Sequence, residues 1–141
     1  MRYRLALTLA VASVAGTSIV FSTPGAAHHS FSAEFDSSRP VAVEGTITKV
    51  RIVNPHGWLY VDQTNADGTT TNWGFEFGSP TTLVRTNLSR EDLRPGSHIK
   101  IEGFRARNTG PFAYAQTVQL SSGRTVQVGG APDAPGTRRE R

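Results

Sequence analysis

Cysteine is absent from this 141-residue chain, which excludes disulfides, thiolate metal sites and thiol nucleophiles. Charged side chains make up only 18% of it. It has no Gly-x-Ser-x-Gly elbow, no phosphate-cradling glycine loop and no His-Glu-x-x-His pair, so the common hydrolase and nucleotide signatures are missing. Long apolar runs are also missing, apart from residues 5–20, which fall short of the roughly 20 residues needed to span a bilayer. The formal net charge of +4 overstates any basic surface. Arg2 and Arg4 precede the apolar run, and Arg138, Arg139 and Arg141 crowd the other end. Nucleic-acid binding is therefore disfavoured.

What is present begins with a leader. Arg2 and Arg4, the apolar run and the small residues Gly25-Ala26-Ala27 follow the order of a secretory signal peptide. Cleavage after Ala27 is expected, giving a mature chain that starts at His28, lies in the bacterial periplasm or medium and keeps no stable membrane anchor. About a hundred residues then remain, enough for one domain with its own core.

Residues 28–39 read as a polar leading arm. Beyond Pro40, Val41, Val43 and Ile47 alternate with polar residues, while Val50 and Ile52 fall on the opposite parity. That slip predicts one long strand with a β-bulge near Gly45. Asn54-Pro55-His56-Gly57 ends it as a turn. A second strand is predicted over residues 58–62 and a third over 70–77. The third places Trp73, Phe75 and Phe77 on one face, with Gly74 and Glu76 on the other. Period two makes the three aromatics core. Ser79 and Pro80 then start a short helix with Leu83, Val84 and Leu88 as its buried stripe. Strands follow over 98–104, 113–120 and 125–128, and residues 129–141 read as a disordered tail rich in Gly, Pro and charge. The expected fold over residues 40–128 is all-β, a small OB-like barrel of five to six strands with one short helix between strands three and four.

Several short words recur in a recognisable order. They are His28-His29-Ser30-Phe31, Glu34-Phe35-Asp36, Gly45-Thr46-Ile47, Asn54-Pro55-His56, Trp73 with Glu76, Gly78-Ser79-Pro80, Arg94-Pro95-Gly96 and Glu102-Gly103. Together they resemble a family of short exported bacterial proteins known only as a domain of unknown function. The resemblance spans roughly residues 27–128. It implies an exported OB-like domain and supplies no activity.

Chemistry concentrates in the histidines. A chain trimmed to His28 offers an α-amine and an imidazole to one metal ion, with His29 and His56 as further imidazoles and Glu76 as a candidate oxygen ligand. Nitrogen donors without thiolate suit Cu(II) best. The plainer reading leaves His28 and His29 solvated and gives His56 a turn role. A competing function is a metal-free OB-type interaction domain, binding a partner protein or envelope saccharide through Trp58 and Tyr60. Leu59 and Val61 compete with those two aromatics for the inside. His98 is expected on an exposed strand face. Asp36, Asp62, Glu76 and His56 assemble into an acid–base set only on paper, so the chain is expected to be a binding module and not an enzyme.

Overall fold

The structure, a computed structural model, describes residues 30–136. The expected signal peptide, His28, His29 and the last five residues lie outside the described residues. The elements in chain order are α1 (Phe31–Glu34), β1 (Phe35–Arg51), β2 (Gly57–Thr64), β3 (Thr70–Phe77), α2 (Pro80–Arg85), β4 (His98–Ala106), β5 (Phe112–Leu120) and β6 (Thr125–Gln127). Strand order in the sheet is β3-β2-β1-β4-β5-β6, and a parallel pairing of β3 with β5 joins its two sides. The fold is therefore all-β and OB-like, a curled sheet closed by β3 and β5, with α2 between β3 and β4.

Period two decides what lies inside. Val43, Ile47, Leu59, Val61, Phe75 and Ile101 are each at most 1% exposed. Trp73 and Phe77 share that interior, as their spacing with Phe75 requires. Leu59 and Val61 take the inside of β2, which turns Trp58 and Tyr60 outward. Leu83, Leu88 and Leu93 complete the core from the β3–β4 connection.

Four local expectations change. The bulge falls between Ile47 and Lys49, not beside Gly45. Gly45 instead passes so close to the Asp62 carbonyl that a Cβ would collide with it. Val84 is 81% exposed, because a helix of under two turns buries only Thr82 and Leu83.

The third change concerns the leading segment. Far from being a polar arm, it forms α1 and the start of β1, where Phe31 and Phe35 pack with Tyr114, Ala106 and Ala134 in a second apolar cluster. The last concerns the segment after β6. Over residues 129–136 it docks on the barrel, with the Ala131 N–H donating to the Tyr114 hydroxyl at 3.0 Å and Ala134 buried. Asp133 accepts from the N–H groups of Phe31 and Ser32 at 3.1 and 3.3 Å. Burial raises the Asp133 pKa, but the hydrogen bonds from the Phe31 and Ser32 backbones, the Asp133 N–H and the Ser32 side chain together hold the carboxyl below its usual range. The segments at the two ends of the described residues thus brace each other.

Candidate functional site

Alternation along β3 puts Glu76 on the outer face, directly across from Trp58 of β2 and Tyr114 of β5. An outward carboxylate is normally solvated, yet Glu76 is only 7% exposed. The α1 turn and the 130–132 stretch lie over it, leaving a cleft of about 70 Å³ lined by Ser30, Glu34, His56, Glu76 and Tyr114 among others.

His56 reaches this cleft from the turn between β1 and β2, which contains a cis Asn54–Pro55 bond. Gly57 follows at once, and any Cβ there would strike the Phe77 ring, so the chain enters β2 tight against the core. This places His56 Nδ1 2.6 Å from Glu76 Oε1. Burial pushes the Glu76 carboxyl up to about 7, and the nearby charge of Glu34 acts in the same direction. A contact this short needs one proton between nitrogen and oxygen. The carboxyl donates to Nδ1 when protonated, and Nδ1–H donates to the carboxylate when it is ionised. Burial also raises the Tyr114 hydroxyl pKa.

The residues singled out from sequence separate into four groups. His56 and Glu76 come together. His28 and His29 lie outside the described residues, although Ser30, the residue bonded to His29, lines the same cleft. Trp58 and Tyr60 lie half-buried on the outer surface, their rings stacked at 6.4 Å, and Trp58 meets Phe112 edge-on at 6.4 Å. His98 is exposed, as expected, 4.0 Å from Glu44. Among the described residues, no group of three or more His, Asp or Glu stands in metal-holding geometry. Nor, among them, is any helix long and apolar enough to cross a membrane.

Sequence reasoning passed over Tyr114 and Phe112. Their signal was present. Phe112, Tyr114 and Gln116 alternate with Ala113 and Ala115, and large residues facing away from small inner ones mark a strand whose outer face is itself covered.

No curated protein and no solved structure matches the chain. A family of unknown function (DUF6152) does match, over residues 16–113, a span that holds α1, β1 to β4 and both partners of the His56–Glu76 contact. The chain belongs to that family.

Proposed function

We propose that the protein is an exported, non-enzymatic metal-binding module with a preference for copper, acting in the periplasm or outside the cell. One observation supports the reading: Ser30, which follows His29 in the chain, lines the cleft that holds the His56–Glu76 pair. Cleavage after Ala27 would supply the α-amine of His28 with its imidazole, and His29 and His56 would add further nitrogen.

The cleft's chemistry fits this role. A ligating imidazole usually has its other ring nitrogen held by a carboxylate, which fixes the ring and raises its basicity. Glu76 does this at Nδ1, so His56 would bind through Nε2, and Glu76 serves as the orienting carboxylate in place of the oxygen ligand first expected. Some 70 Å³ suits an ion with one or two waters, each filling roughly 30 Å³ in the liquid. An all-nitrogen donor set without thiolate favours Cu(II) over zinc or nickel.

Titration of the protein beginning at His28 with Cu(II) and Zn(II) tests the reading. Copper should bind more tightly than about micromolar, or −8 kcal/mol. One extra alanine before His28 should weaken it, and Glu76→Gln should cost about 10- to 100-fold. Equal affinity with and without the extra residue rejects the amine chelate, and the absence of sub-micromolar binding rejects the function.

A further inference from the structure

A second recess lies on the other side of α1. It has a volume of about 300 Å³ and is walled by Glu34, Trp58, Arg107, Asn108 and Phe112. That is the lower end of the range for small-molecule pockets. It goes beyond the metal reading and needs no metal.

Its aromatic wall is exposed but fixed. Phe112 is 38% exposed, yet its ring lies directly over Gly74 and beside Gly110, where a Cβ at either position would crowd it. Trp58 meets it edge-on at 85°. The two crossed rings both line the recess, where the half-buried Trp58 presents part of its indole. They form no slot between parallel rings of the kind that grips a polyproline ridge.

The polar wall is tethered too. Arg107 donates from Nε to the Ser32 carbonyl at 3.0 Å, and its backbone N–H donates to the Glu34 carbonyl at 2.9 Å. Asn108 accepts the Gly110 N–H on Oδ1 at 3.2 Å, which turns its amide NH₂ away from the loop backbone. A guanidinium, an amide and a carboxylate thus border the aromatic wall. The rim carries one cation and one anion, which gives no net pull on a phosphate or polyanion.

A ligand matching these walls needs a flat C–H face and an edge of groups that both donate and accept hydrogen bonds. A pyranose with equatorial hydroxyls has both. We propose that this recess binds a neutral β-linked oligosaccharide, with one sugar ring stacked on Trp58 and its hydroxyls bonded to Arg107, Asn108 and Glu34. Trp58 and Phe112 supply the area, and the polar rim sets the ring's orientation.

The test uses protein washed with chelator, so that its result is independent of the metal reading. Cellotetraose and chitotetraose are titrated while amide and indole N–H resonances are followed. Both probes have all-equatorial backbones, and the second adds acetamido groups. The Trp58 indole and Asn108 side-chain signals should shift with at least one of them. Trp58→Ala and, separately, Phe112→Ala should weaken binding about tenfold or more, as removal of a stacking ring does elsewhere. The wild-type shift map stands even if one variant folds poorly. Absence of shifts at about 10 mM sugar, far weaker than any useful affinity, overturns the proposal. So do shifts that persist in both variants, or stronger shifts at the same signals from an octaproline peptide.

Discussion

The two faces of β3 bury neighbouring residues by unlike means. On the inner face Trp73, Phe75 and Phe77 enter a dry core because the sheet curls and β3 pairs with β5. On the outer face Glu76 is covered by segments from the two ends of the described residues, Phe31 and Phe35 from one side and Ala131 and Pro132 from the other. Barrel closure makes the first burial unavoidable. The second depends on a small roof that a few contacts hold in place. A carboxylate survives under that roof because His56 meets it at 2.6 Å; without such a partner a buried charge would be costly. The inner face accounts for stability, and the outer face is where chemistry can be tuned.

Cutting into the inner face should have the largest effect. Phe75→Ala removes a fully buried ring and should cost about 3–5 kcal/mol in urea melts, close to the whole stability of a domain this size. Phe31→Ala tests the roof. Its ring sits 5.1 Å from Tyr114 and 5.6 Å from both Phe35 and Phe104, but the cluster is peripheral and can relax. A loss of about 1–3 kcal/mol is expected, with Glu76 becoming more hydrated and its pKa falling back toward 4.5 while core resonances stay in place. A loss as large as that of Phe75→Ala would erase the distinction between the two faces.

The smallest effect comes from proton linkage. The Glu76 pKa is about 7 in the folded chain against 4.5 for an unperturbed glutamate, so between these values the folded state holds the extra proton. Its contribution to stability is complete below about 4.5 and lost as pH rises through about 7. Wild type should therefore weaken by on the order of 1–3 kcal/mol from pH 5 to pH 8. Glu76→Gln, which keeps a donor and cannot ionise, should flatten that slope. Parallel pH profiles for the two proteins would show that burial does not govern this carboxyl.

Reading the sequence located most of the frame. Val41, Val43 and Ile47, the Trp73-Phe75-Phe77 stripe, Ser79-Pro80 at a helix start and the turn at His56 all lie where their spacing placed them. The misplaced features share a cause. The bulge at Ile47–Lys49 rather than at Gly45 is settled by which strand approaches which. Phe31 and Phe35 looked like scattered aromatics because no periodic partner lies near them in the chain; their partner Tyr114 is some eighty residues away.

Local pattern alone determined that this chain is all-β and which aromatics fill its barrel core. Alternation and turn residues act over a few residues, so they can be read without a fold. Only the tertiary structure decided that Glu76 is buried, that its partner is His56 and that the α1 segment and residues 130–132 meet over them. Those facts follow from barrel closure, which joins residues far apart in the chain and leaves no trace in the spacing of any one strand.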